Sequence, residues 1–161
     1  MSVRIAIVQQ DGGCDQPDVN RNKSLVLAEQ ALEHKPDIVL FHECLLLNQD
    51  APNMPDLAEP VDGITTQAFR KVLQGTDSMI MYGLTERDGS KIYNSAVVVS
   101  AGGVVANYHK THLFWKAGNE SIAITPGERL VTFDLKGHKS GIQICYDGDF
   151  PEMFRSYANL G

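Results

Sequence analysis

Residues 3–43 read VRIAIVQQDGGCDQPDVNRNKSLVLAEQALEHKPDIVLFHE, and the change of pattern within them sets the fold class. Val3 to Val8 is short, apolar and β-branched, which predicts a buried strand. Residues 11–20 collect Gly, Asp, Asn and Pro and read as a loop. From a cap at Asp18 or Asn20, a helix is expected to run to about Leu32. Leu25, Ala28 and Leu32 recur at helical spacing, with Leu27 and Ala31 alongside. Pro36 pushes the residue before it out of the helical region and ends the element. Asp37 to Phe41 then reads as a second buried strand. A strand, a helix and a strand with short joints predict a βαβ-like opening with parallel strands, hence an α/β fold.

Working outward, residues 44–61 hold Pro52, Pro55 and Pro60 without a clear period. A structureless loop of this length often covers a site. Thr65 to Leu73 predicts a shorter amphipathic helix, with Ala68, Phe69, Val72 and Leu73 on one face and Gly75 as its C-cap. Ser78–Thr85, Ile92–Ser100 and Val104–Tyr108 read as three strands. Turn chemistry at residues 87–90 and at Gly102-Gly103 joins them into an antiparallel meander. A second long loop spans 111–127. Leu130–Leu135 and Gly141–Cys145 are expected to pair across Lys136-Gly137-His138. A last helix spans Phe150–Leu160, with Pro151 in its first turn, where a missing N–H costs nothing.

The chain has 161 residues, 14 Lys+Arg against 20 Asp+Glu, and a net charge of −6. At about 100–200 residues per domain this is one domain, 1–161. The acidic balance, with no basic run, argues against a nucleic-acid surface. The longest apolar stretches, Ile38–Phe41 and Ala96–Val99, are strand-sized, so no membrane span is expected. The N-terminus does not read as a secretory signal. Three cysteines at unrelated spacings fit a reducing cytoplasm better than a disulfide framework. Two glycosylation-type triplets, at Asn22 and Asn119, therefore carry little meaning.

Three reactive side chains stand at predicted strand ends, where open α/β sheets bind ligands. They are Glu43, Lys110 and Cys145. Each has a plainer reading alone: a solvated Glu, a surface Lys, a small buried thiol. Cys145 opens a strand-to-helix turn, Cys145-Tyr146-Asp147-Gly148-Asp149-Phe150-Pro151. A nearby helix N-terminus is expected to lower its pKa and favour the thiolate. The backbone N–H of Tyr146 would face the same space as an oxyanion donor. Cys14 and Cys44 have no comparable setting.

Together these blocks resemble the nitrilase, or carbon–nitrogen hydrolase, superfamily. Asp37-Ile38-Val39-Leu40-Phe41-His42-Glu43 resembles the family's apolar strand ending in its catalytic Glu. Tyr108-His109-Lys110-Thr111-His112-Leu113-Phe114 resembles its Lys block, and Ile144-Cys145-Tyr146-Asp147 with Phe150-Pro151-Glu152 its nucleophile elbow. Glu120, six residues before Pro126-Gly127, resembles the segment of the family's second active-site Glu. The resemblance spans the chain. It implies an αββα sandwich with helices outside, of which this chain would be the N-terminal portion, since family members are longer. The chain would then be a fragment of a longer hydrolase or need a partner surface.

By this resemblance Glu43 is the general base, Lys110 the oxyanion stabiliser and Cys145 the nucleophile. Glu120 orients Lys110 and the substrate, and two carboxylates favour a charged lysine. A small amide would be cleaved to acid and ammonia through a Cys145 thioester. An N-carbamoyl compound or a nitrile is the next expectation. The resemblance implies no cofactor and no metal, and a homo-oligomer packed through helical faces. The sequence departs from the pattern at His42, often Pro in the family, and at Asp149, often Arg. Two rival readings use the histidines: a Cys–His hydrolase with His42, His109 or His112 as base, and a metal site at His109 and His112.

Overall fold

The computed structural model describes residues 2–11, 16–47, 51, 53–114 and 123–161. Strand β1 (Ile5–Ile7) leads to helix α1 (Pro17–Leu32) and strand β2 (Ile38–Leu40). Helix α2 (Ile64–Val72) precedes the meander β3 (Met79–Asp88), β4 (Lys91–Ser100) and β5 (Gly103–His109). The hairpin β6 (Thr132–Leu135) and β7 (His138–Gly141), a 3₁₀ turn at Cys145–Asp149 and helix α3 (Pro151–Asn159) follow. The first five strands form one sheet in the order β1-β2-β3-β4-β5. β1 and β2 pair in parallel, as do β2 and β3, and the meander is antiparallel. The βαβ opening and the meander are thus as expected.

Side chains alternate across the sheet, and each face has its own core. Val39, Ile80, Tyr82, Leu84, Val97 and Val99 pack toward α1 and α2 with Phe69 and Leu73. Ile38, Ala96, Val98, Ala106 and Tyr108 face the other way, onto Phe133, Leu135, Ile142, Ile144 and Met153. The layers run helices, five-stranded sheet, β6–β7 hairpin, helix α3, the αββα order.

Four expectations need correction. The first strand is not buried: Ile5 is 50% and Ile7 76% exposed, because β1 is the edge of the sheet and pairs only with β2. The first helix starts at Pro17, before either expected cap, because proline's fixed φ suits the first helical position. Asn20 therefore lies inside α1, where its amide donates to the Leu46 carbonyl at 2.9 Å. The 44–61 segment is more than a cover, since Leu45, Leu46, Leu47, Ala51 and Met54 are buried in the first core. Glu59 pins it to β3: its N–H reaches Thr85 O at 3.1 Å, and Arg87 N–H returns to Glu59 O at 2.8 Å. The expected strand Gly141–Cys145 is shifted, because the tight turn at Lys136-Gly137 registers His138 opposite Leu135 and Gly141 opposite Thr132. The chain then runs extended from Ile142 to Ile144.

Candidate active site

Glu43 lies beyond the C-terminal end of β2. The chain keeps pairing with β3 past the strand: Phe41 N–H donates to Met81 O at 2.8 Å, and Gly83 N–H to His42 O at 3.2 Å. Gly83 permits this approach, since a Cβ there would sit 2.4 Å from Cys44 N and 2.7 Å from the Glu43 Cα. His42 Nδ1–H donates to the Glu43 carbonyl at 2.7 Å, so the histidine holds the backbone of the loop. Cys44 follows at φ +54°, a left-handed position that a non-glycine residue adopts only when held there.

Lys110 lies just past β5. Its N–H donates to Asn94 O at 2.8 Å, and its own carbonyl accepts from Gly127 N–H at 2.8 Å. Gly127 lies so close to the strand that a Cβ would fall 2.1 Å from His109 O. The lysine side chain is 1% exposed. A buried ammonium costs several kcal/mol unless it is paired and hydrogen-bonded, and Nζ meets Glu43 Oε1 at 2.9 Å. Asn94 Nδ2 donates to the same oxygen at 2.7 Å. Asn94 was not singled out from sequence. Its signal was a polar residue in the middle of an otherwise buried strand, KIYNSAVVVS.

Cys145 opens the 3₁₀ turn at φ +45°, the strained geometry of an elbow that presents its side chain. Glu43, Lys110 and the Tyr146 N–H all lie close enough to act on its thiol. The structure therefore brings Glu43, Lys110, Cys145 and the Tyr146 N–H together. A cavity of about 120 Å³ beside them is lined by Phe41, Met81, Ala96 and Ile144 as well as Glu43 and Cys145. A larger hollow of about 430 Å³ lies at the other end of β2, by Asp37 and Ser78, away from these groups.

One expectation reverses here. The thiol is not poised as a thiolate. Desolvation pushes the Cys145 pKa up, and the Glu43 charge adds to it. Lys110 and the Tyr146 N–H only partly oppose them. The physical reason is position: Cys145 begins a five-residue 3₁₀ turn, and α3 starts only at Pro151.

The histidines are engaged elsewhere. His109 Nε2 meets Glu86 at 2.9 Å and its ring stacks on Tyr93 at 3.8 Å. His112 Nδ1 meets Asp147 at 2.9 Å. They serve two different carboxylates rather than one shared ion. Among the described residues no group of three or more His, Cys, Asp or Glu is arranged to hold a metal. Glu120 and Cys14 lie outside the described residues. No helix among the described residues is long and apolar enough to cross a membrane.

A buried lysine paired to a glutamate thus stands with a thiol on an elbow on an αββα scaffold. The family model described as carbon-nitrogen hydrolase matches residues 4–161, and the chain belongs to that family. It is 32% identical over 164 residues to a nitrilase of Pyrococcus abyssi, covering 99% of this chain and 62% of the relative. It is 33% identical over 126 residues to an (R)-stereoselective amidase of Pseudomonas, covering 78% of this chain and 45% of the relative. Among solved structures it is similar to a CN-hydrolase superfamily protein of Xanthomonas campestris, described with an arsenic adduct in its active site. That likeness has a TM-score of 0.83 and 27% identity, and covers 93% of this chain and 56% of that one. The chain thus spans less than two thirds of the length of these relatives.

Proposed function

We propose that this chain carries the catalytic residues of a hydrolase that cleaves a small non-peptide amide to acid and ammonia. The observation that carries the reading is the convergence of Glu43, Lys110 and Cys145, with Lys110 Nζ 2.9 Å from Glu43 and Glu43 and Cys145 lining the same cavity. Cys145 Sγ attacks the amide carbon while Glu43 takes the thiol proton. The oxygen of the tetrahedral intermediate bears the negative charge. Lys110 Nζ and the Tyr146 N–H are placed to stabilise it. Collapse breaks the carbon–nitrogen bond, Glu43 returns the proton to the leaving nitrogen, and a Cys145 thioester remains. Water, deprotonated by Glu43, attacks the thioester and releases the acid and the thiol. By the family resemblance, Glu120 orients Lys110 and the substrate. No step calls for a cofactor.

Amides come first because an (R)-stereoselective amidase is among the relatives. The nitrilase relative supports a second reading, in which the same thiol adds to a nitrile carbon. An N-carbamoyl compound is the third substrate class. Two further parts of the proposal rest on lighter support. Cys145 is a free thiol, which suits a reducing cytoplasm. Val19 and Val26 are half exposed, seven residues apart on α1, which suits a homo-oligomer packed through helices.

The test is ammonia release from a panel of small amides, carbamoyl compounds and nitriles, with Cys145→Ala as the blank. Release from amides that Cys145→Ala abolishes is the expected result. Equal release from wild type and Cys145→Ala would end the thioester scheme, and activity on nitriles alone would move the assignment to the second reading.

A further inference from the structure

Asp147, two residues beyond the nucleophile, is fully buried, and its two oxygens accept four hydrogen bonds. Oδ1 takes the His112 backbone N–H at 2.8 Å and the His112 ring Nδ1–H at 2.9 Å. Oδ2 takes the Tyr108 hydroxyl at 2.7 Å and the Ile144 N–H at 3.1 Å. The Tyr108 oxygen accepts in turn from Thr111 N–H at 3.2 Å. The donors come from two places: residues 108–112, which flank Lys110, and Ile144, immediately before Cys145. The His112 ring also stacks on Phe150 at 3.6 Å, and Phe150 meets Tyr146 edge-on at 5.2 Å.

A buried carboxylate deprived of donors costs more than an ordinary hydrogen bond returns, so both segments are held to it. The elbow needs holding. Cys145 at φ +45° holds a strained backbone position, which persists only where surrounding contacts overdetermine it. The salt bridge of Lys110 fixes the lysine to Glu43, but it does not fix the elbow to the lysine. Asp147 does.

We propose that Asp147 and His112 are positioning residues that set Cys145 against Lys110, so that the oxyanion formed on attack arises within reach of Lys110 Nζ and the Tyr146 N–H. The inference rests on the roles proposed above for Glu43, Lys110 and Cys145. It assigns no chemistry to Asp147 or His112 themselves. They act through the two segments they join.

The probe is propionaldehyde labelled with carbon-13 at its carbonyl. Cys145 Sγ bonds to that carbon, the C=O π bond becomes a C–O single bond, and the thiol proton passes by way of Glu43 to the new oxygen. The hemithioacetal places that oxygen where the oxyanion would form, and nothing leaves. Its affinity is read by NMR titration, with Cys145→Ala as the blank. Iodoacetamide alkylation of Cys145, which forms no oxyanion, is followed by mass spectrometry in parallel.

His112→Phe keeps a ring against Phe150 but loses the Nδ1–H donor. It is expected to weaken the adduct about tenfold or more, the scale of a hydrogen bond to a charged group. His112→Asn, whose amide N–H takes the place of Nδ1–H, is expected to stay within about threefold of wild type, and alkylation to change by less than about threefold in both. Should His112→Phe fail to fold, Tyr108→Phe removes one donor at Oδ2 alone and is expected to weaken the adduct in the same direction. An adduct unchanged in His112→Phe or in Tyr108→Phe, or weakened equally in His112→Phe and His112→Asn, overturns the positioning role while the hydrolase reading stands. A wild-type chain that forms no adduct overturns both.

Discussion

Cys145 is an exposed residue whose thiol nevertheless sits above the ordinary thiol range. Desolvation is the first cause and the negative charge of Glu43 the second. The consequence is testable on the residue itself. A raised thiol pKa means that little thiolate exists at neutral pH, so the midpoint of Cys145 alkylation by iodoacetamide should lie above about pH 8.5, the midpoint of an ordinary thiol. Glu43→Gln keeps the shape and removes the charge. The midpoint of the alkylation profile should then move to lower pH, while turnover, which needs the base, falls. A midpoint that stays in place would show that desolvation alone holds the thiol neutral. Gly83 belongs to the same scale, because a Cβ there would fall 2.7 Å from the Glu43 Cα, and its absence lets that backbone run against β3. Its place in the strand pattern showed no such demand. The need arises from residues forty positions away in sequence.

The meander β3–β4–β5 carries polar groups on both faces near one end. Asn94 faces Glu43, while Ser95 faces the opposite side and donates to Glu86 at 2.6 Å. Glu86 is 3% exposed. It also accepts from Asn107 at 2.8 and 3.0 Å and pairs with His109 Nε2 at 2.9 Å. Burial pushes the Glu86 carboxyl up. The bonds from His109, Ser95 and Asn107 outweigh it and hold the pKa below the ordinary glutamate value. A carboxylate with a depressed native pKa stabilises the fold above its unfolded pKa, and that stability is lost as pH falls through the native one. Urea melts should therefore lose stability below about pH 4.3 as Glu86 takes up its proton. Glu86→Gln should be less stable at neutral pH and should show a flatter acid limb. A parallel acid limb in wild type and variant would place the loss on other carboxylates. The three strands were legible from their β-branched runs and Gly turns. The cluster was not, because it joins residues of three strands through the pairing register.

At the scale of the whole molecule, two cores on opposite faces of one sheet put the reactive groups on the hairpin side. Glu43 comes off β2, Lys110 follows β5 and pairs with Glu43, and Cys145 follows β7 and lines one cavity with Glu43. Helices α1 and α2 cover the other face, and Val19 and Val26 remain on the outer side of α1, both half exposed. If helical faces join copies of the chain, Val19→Glu with Val26→Glu should shift the mass seen by light scattering toward the monomer, with circular dichroism unchanged. A wild-type chain that is already monomeric at working concentrations would remove that part of the proposal.

Sequence by itself determined the order of elements, the parallel opening, the meander and the three residues most suited to the chemistry. Those depend on local pattern: β-branched runs, helical spacing, proline and glycine, and motif blocks each a few residues long. Only the tertiary structure decided what surrounds those residues. It placed Asn94 beside Lys110 on one carboxylate oxygen and tied Asp147 to both flanking segments. It also pushed the Cys145 thiol pKa up where a helix terminus was expected to lower it. These depend on through-space distance and desolvation, and neither is set until separate strands close around the same space.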